Sequence, residues 1–197
     1  MSVIQFPRAA DPSRSQIVVF VDLQREYIAD GRAHALSRRE PWWSNCLRLL
    51  DFAREQGYPV AHFRQIRREP FFNAATPFAD WIEEFRPRPH EMVFERDKPS
   101  CYSNESFGAL LDSFSDPSYL LVGLTGEAGC LSTMMESHHR GHRATLVADA
   151  SDSRALGVYD ETVVHDVVAE IAATFGDVTL TSHAISRLAG RKPSLVG

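Results

Sequence analysis

The chain lacks the features that mark several large protein classes. Its three cysteines, Cys46, Cys101 and Cys130, are odd in number and show no CxxC spacing. That argues against both a disulfide framework and a zinc knuckle, and predicts reduced thiols. No apolar run approaches the roughly 20 residues needed to span a bilayer. The first residues lack the basic, apolar and small-residue succession of a secretory signal, so a cytoplasmic protein without membrane contact is expected. The net charge is −5, whereas nucleic-acid binders usually present a basic surface to the phosphates, so no nucleic-acid partner is expected. Internal repeats and low-complexity tracts are also missing, and 197 residues suffice for one well-packed domain but are short for two.

Residues 1–15 hold Pro7 and Pro12 and no periodicity, and read as an N-terminal arm ahead of a single domain over 16–197. The apolar run Gln16–Val21 has the pattern of a strand buried on both faces. Pro41 opens a helix whose Trp42, Cys46, Leu49, Leu50 and Ala53 share one face, with Gly57 as its stop signal. Further strands are predicted at 58–63, 92–95, 119–124, 143–148 and 177–181, and further helices at 106–114, from about Cys130 to Gly141, and at 160–174. In the helix after Cys130, the residues Leu131, Met134, Met135 and His138 recur at helical spacing, which places His138 toward the core. Strand and helix alternate throughout. The expected fold is therefore α/β: a three-layer, doubly wound, Rossmann-like sandwich around a mainly parallel six-stranded sheet.

Three reactive side chains stand just past the ends of predicted strands: Asp22, Lys98 and Cys130. In a doubly wound sheet such ends open on one edge, where ligands bind. Taken singly, each has a plain reading: Asp22 as a helix cap, Lys98 as part of a solvated turn, Cys130 as a buried structural thiol. Together they support one chemistry, in which Asp22 takes the thiol proton, Lys98 stabilises the charged pair, and Cys130 attacks an electrophilic carbon. At the first turn of a helix the Cys130 thiol is expected to ionise more readily than a free one. The backbone of the preceding glycine-bearing turn would hold the oxyanion, with donors at Thr125, Gly126 and Cys130. Residues 65–90, with four prolines and Phe71, Phe72, Phe78, Trp81 and Phe85, read either as a cover for the site or as a satellite apolar cluster. Candidate pocket residues are Tyr27, Arg64, Phe72, Trp81 and Tyr102, with Arg64 placed to receive a carboxylate or to pair with an acidic neighbour.

Val19-Phe-Val-Asp22-Leu-Gln24-Arg-Glu-Tyr27, then Lys98, then Gly123-Leu-Thr-Gly-Glu-Ala-Gly-Cys130-Leu-Ser-Thr133 resemble, in order and spacing, the signature blocks of the isochorismatase-like cysteine hydrolases. The resemblance covers about residues 16–181. It implies an Asp-Lys-Cys triad, hydrolysis of a C–N bond of a small molecule through an acyl-enzyme, and a homodimer or homotetramer. It also implies a non-proline cis peptide before the cysteine, at Leu124-Thr125 or Thr125-Gly126. The segment from Gly123 to Cys130 is one residue longer than the common family pattern. The metal-binding Asp-x-His pair of the nicotinamidase branch is missing from His62-Phe-Arg64-Gln-Ile-Arg67, so neither a metal nor another cofactor is expected.

Other readings are weaker. Gly123, Gly126 and Gly129 follow G-x-x-G-x-x-G rather than the dinucleotide-binding G-x-G-x-x-G. His138, His139 and His142 suit the end of a helix better than a metal cluster. An isochorismate-type vinyl ether hydrolase, or a non-catalytic binding member of the same fold, remains as an alternative.

Overall fold

The structure, a computed structural model, describes residues 16–190, so the arm read over residues 1–15 lies outside the described residues. Six strands form one all-parallel sheet: β1 (Ile17–Val21), β2 (Val60–Gln65), β3 (Met92–Arg96), β4 (Ser118–Leu124), β5 (Arg143–Asp152) and β6 (Asp177–Thr179). Their order is β3-β2-β1-β4-β5-β6, the doubly wound order. The helices are α1 (Trp42–Glu55), α2 (Glu105–Asp112), α3 (Leu131–His139), α4 (Glu161–Ala172) and α5 (Thr181–Ala189).

Alternation along the central strands divides the core into two layers. Val18 and Phe20 of β1 and Leu120 and Val122 of β4 pack with Trp42, Leu49 and Leu50 of α1 and Ala184 and Leu188 of α5. Ile17, Val19, Val21, Tyr119 and Leu121 face the other way, onto Phe107 and Leu111 of α2, Met134 of α3 and Ala172 of α4. Successive side chains of a strand point to opposite faces, so a strand buried on both faces needs the unbroken apolar run that β1 shows. β1 and β4 approach closely at Gly123. Its φ is +115°, and a Cβ there would lie 2.2 Å from the Val21 carbonyl oxygen.

Helix α1 follows the sequence reading, with the whole stripe from Trp42 to Ala53 buried and Gly57 in the left-handed conformation. Helix α3 does not. Its buried face is Thr133, Met134 and Ser137, while Met135 and His138 are exposed. Hydropathy pointed to the wrong stripe because two of the three inward residues carry polar groups. These are satisfied internally: Thr133 Oγ1 donates to the Gly129 carbonyl (2.7 Å), and Ser137 Oγ donates to that of His142 (3.1 Å). β5 also runs past its predicted end, through Asp149 to Asp152. Buried Asp152 is compensated there by Arg38, whose Nε and Nη2 donate to its two oxygens at 2.8 and 2.7 Å.

Trp42 is fully buried where α1 meets the sheet. Replacing it with alanine removes its area and leaves a cavity, so Trp42→Ala should cost about 3–5 kcal/mol in urea unfolding. A loss below about 1 kcal/mol would show that α1 is not anchored through this residue.

Candidate active site

The strand order reverses between β1 and β4, which pair in parallel with Val21 opposite Gly123. Asp22 directly follows β1. Its backbone is left-handed (φ 50°), and its N–H donates to the Phe63 carbonyl at 2.8 Å. Aspartate tolerates this conformation better than most residues. After β4 comes the cis peptide Leu124-Thr125, the first of the two positions the family resemblance implied. Then Gly126–Cys130 forms a single π-helical turn that leads into α3. The turn closes from the Cys130 N–H to the Thr125 carbonyl at 3.1 Å, an i to i+5 bond where an α-turn would close at i+4. One additional residue is accommodated there.

The third member of the expected triad is placed differently. Lys98 lies two residues beyond β3 with its side chain exposed. Arg96, the last residue of β3, is buried instead, and its Nη2 donates to Asp22 Oδ2 at 2.5 Å, with both side chains 1% exposed. Its Nη1 donates to the Lys98 carbonyl, holding the strand exit in place. Strand parity explains the exchange: Phe94 and Arg96 share the buried face, and the long arginine spans β2 to reach the end of β1. Extending the period-two pattern of β3 by one residue would have found it in the sequence.

Burial sets the electrostatics. It pushes the Asp22 carboxyl up to about 6, although Arg96 pulls it down. Oδ1 of Asp22 and Nε of Arg96 are buried and unpartnered among the described residues. The Cys130 thiol is fully buried and pushed well above the usual range by that burial, then by Cys101, Asp22 and Glu127, against which Arg96 acts. The expected easy ionisation of Cys130 is therefore not what the structure shows. The turn does little to help a thiolate, since the N–H groups of Cys130 and Ala128 both go to the Thr125 carbonyl. For the same reason the Cys130 N–H, expected as an oxyanion donor, is already engaged within the turn. Thr125 and Gly126 stand at the start of the turn, where N–H groups have no acceptor within the helix.

Of the expected pocket residues, Tyr27 and Phe72 lie at this edge. Their rings are 5.3 Å apart, and His34 packs against both. Burial raises the Tyr27 phenol well above its usual range, with Asp22 adding to the shift and Arg96 and Arg154 opposing it. The other three make different contacts. Arg64 on β2 pairs across the sheet with its register partner Glu95 in partly exposed surroundings. Trp81 lies edge-on to His62, which itself stacks on Phe20 in the α1 layer. The Tyr102 hydroxyl turns toward Tyr119 (3.3 Å) and His142 Nδ1 (3.0 Å), because a buried phenol needs a partner and finds one at the far end of β4.

The residues added by the structure form a polar rim. Arg154 Nε donates to Glu127 Oε1 at 2.9 Å, and its Nη1 donates to His34 Nδ1 at 2.7 Å. Burial and then Arg154 lower the His34 pKa, keeping that ring an acceptor. Gln24 is fully buried and ties the loops together, with Nε2 donating to the carbonyls of Gln65 (3.0 Å) and Ala79 (2.7 Å) and Oε1 accepting from Gln65 N–H (2.7 Å). An open cavity of about 530 Å³, lined by Ile66, Arg67, Arg68, Asn73, Ala74 and Asp97, lies beside β2 and β3. Arg67 carries positive charge from it toward Asp22 and His34. Among the described residues, no group of three or more His, Cys, Asp or Glu side chains is placed to hold a metal ion.

The two cations should respond differently to truncation. Arg96→Met strands a buried carboxylate and should cost about 3–5 kcal/mol of unfolding free energy, whereas Lys98→Ala should stay within about 0.5 kcal/mol of wild type. Equal losses in urea denaturation would contradict the assignment of Arg96 as the partner of Asp22.

Comparison with known proteins agrees with this architecture. The isochorismatase domain model matches residues 16–182. A secreted isochorismatase effector of Verticillium dahliae is 25% identical over 178 residues, covering 89% of this chain and 93% of that protein. The crystal structure of an isochorismatase from Pseudomonas putida superposes with a TM-score of 0.76 at 26% identity, covering 91% of this chain and 93% of the other. A cysteine hydrolase from Pseudomonas syringae, at 20% identity and a TM-score of 0.76 over 96% of this chain and 99% of its own, shares the fold. With its all-parallel sheet, and with Asp22 and Cys130 in the segments that follow the two strands where the order reverses, the chain belongs to the isochorismatase domain family.

Proposed function

We propose that the protein hydrolyses a C–N bond of a small amide, carbamoyl or ureido compound through an acyl-thioester on Cys130, with Asp22 as the proton carrier and Arg96 in the role expected of Lys98. The observation that carries this reading is the unpartnered Oδ1 of Asp22, a buried acceptor whose sister oxygen is held by Arg96. A buried carboxylate oxygen without a hydrogen bond is a costly arrangement in a folded core. It suits a group that must accept a proton during turnover.

The sequence of events follows from these groups. Asp22 takes the Cys130 proton, and the sulfur attacks the carbonyl carbon, giving a tetrahedral oxyanion that receives the N–H groups of Thr125 and Gly126. Collapse breaks the C–N bond, and the leaving nitrogen takes the proton from Asp22. Water, deprotonated by Asp22, then attacks the thioester, and Cys130 leaves with that proton restored. Arg96 remains charged throughout, because a guanidinium does not deprotonate in a protein. It therefore acts as a fixed counter-charge for Asp22 and for the thiolate as it forms, and Tyr27 and Phe72 supply an apolar wall.

A second reading has an observation in its favour. With its carboxyl raised to about 6, Asp22 retains a proton more readily than an ordinary aspartate, which suits protonation of a vinyl ether, the reaction that the name of the Verticillium relative raises. That route needs no nucleophile.

The two readings separate on one variant and one profile. For C–N hydrolysis, Cys130→Ala should fold normally and lose turnover, and mass spectrometry of the wild-type protein with a compound panel should find an acyl adduct on Cys130. Turnover surviving in Cys130→Ala would exclude the covalent route. As a base, Asp22 must be ionised, so kcat/KM should fall about tenfold per pH unit below about 6. Activity that instead declines as pH rises through that value would identify Asp22 as an acid.

A further inference from the structure

The turn that carries Cys130 rests on a pair of side chains that the chemistry above does not use. Ser153, just past β5, is fully buried, and its Oγ lies 3.1 Å from His165 Nδ1 on α4. His165 Nε2 lies 2.8 Å from the Ala148 carbonyl. A carbonyl only accepts, so Nε2 carries a hydrogen, and in the neutral ring Nδ1 is left to accept from the Ser153 hydroxyl. The serine is thereby held from two sides. Its backbone N–H donates to Asp152 Oδ1 at 2.8 Å, Asp152 is fixed by Arg38, and its hydroxyl is fixed by His165. The fixed oxygen is pressed against Gly126: a Cβ there would meet Ser153 Oγ at 2.5 Å and His165 Nδ1 at 3.2 Å. On its other side the same turn meets the catalytic pair, since a Cβ on Gly129 would lie 2.9 Å from Arg96 Nη2.

We propose that Ser153 and His165 are positioning residues that hold Gly126, and with it the turn ending at Cys130, at the height the reaction requires. Neither touches the reacting atoms. The role rests on the reading of Gly126 as an oxyanion donor, and it uses a wall that the turn meets on the side away from Arg96, with Val168 beside it at 3.4 Å from a Cβ on Gly126. Removing the hydroxyl lets the turn sink into the vacated space. Adding a methyl at Gly126 pushes it the other way. Displacements of this kind cost rate more than binding, because a misplacement of about 1 Å can lower a rate by about a hundredfold.

The test combines a readout that needs no substrate with one that does. Amide hydrogen exchange over residues 125–131 should quicken in Ser153→Ala and His165→Ala. It should return toward wild type in His165→Asn, whose side-chain oxygen can replace Nδ1 as the acceptor. On a compound that acylates Cys130, Ser153→Ala should lower kcat about tenfold with KM within about twofold. Gly126→Ala should lower it about a hundredfold, and the double variant Gly126→Ala/Ser153→Ala should recover at least tenfold over Gly126→Ala. Unchanged exchange and kcat in Ser153→Ala and His165→Ala would overturn the proposal, as would a double variant no better than Gly126→Ala. Exchange that responds as stated, with no adduct forming on Cys130, would sink the hydrolytic reading and leave the brace standing.

Discussion

The buried pairing of Asp22 with Arg96 is the constraint around which the rest of this edge is arranged. Two charges taken out of water are tolerable only when their geometry is good and their neighbours are fixed. The surrounding structure meets that demand. Arg96 ends a strand held by β2, Asp22 follows the strand on the far side of β2, and Gln24 ties the intervening loops to the backbone of Gln65 and Ala79. The pair also orients the carboxylate. One carboxylate oxygen is committed to the guanidinium and the other is left without a partner, so the orientation of the free oxygen is decided by the bond that its sister makes.

How much of this was readable in the chain varies with how strongly burial dictates residue type. β1 and α1 were legible because their inward positions are purely apolar, and a hydrophobic period identifies them. Where inward positions are polar the pattern failed. α3 turns Thr133 and Ser137 inward, and β5 carries Ser151 and Asp152 into the core, so hydropathy placed the first on the wrong face and ended the second too early. These are the segments that shape the site. Local rules break most often where function or strain is concentrated.

The cation was misplaced for a related reason. The chain has two lysines, Lys98 and Lys192, and a triad read by residue type had to use the one near a strand end. Nineteen arginines provide the remaining basic charge, and which of them turns inward depends on strand parity at β3. The same limit applied to the pocket. Tyr27 and Phe72 pack against each other, whereas Arg64, Trp81 and Tyr102 engage Glu95, His62 and Tyr119, partners that only the folded chain brings near.

The depth of Cys130 bears on how long the protein keeps its activity. Oxidants and stray electrophiles act on thiolates that are both ionised and accessible. This sulfur is neither at rest: burial holds its proton in place, and Cys46 and Cys101 are equally enclosed. Chemical ageing of this thiol therefore waits on an opening of the core around it, and reagents held at the surface leave it unmodified.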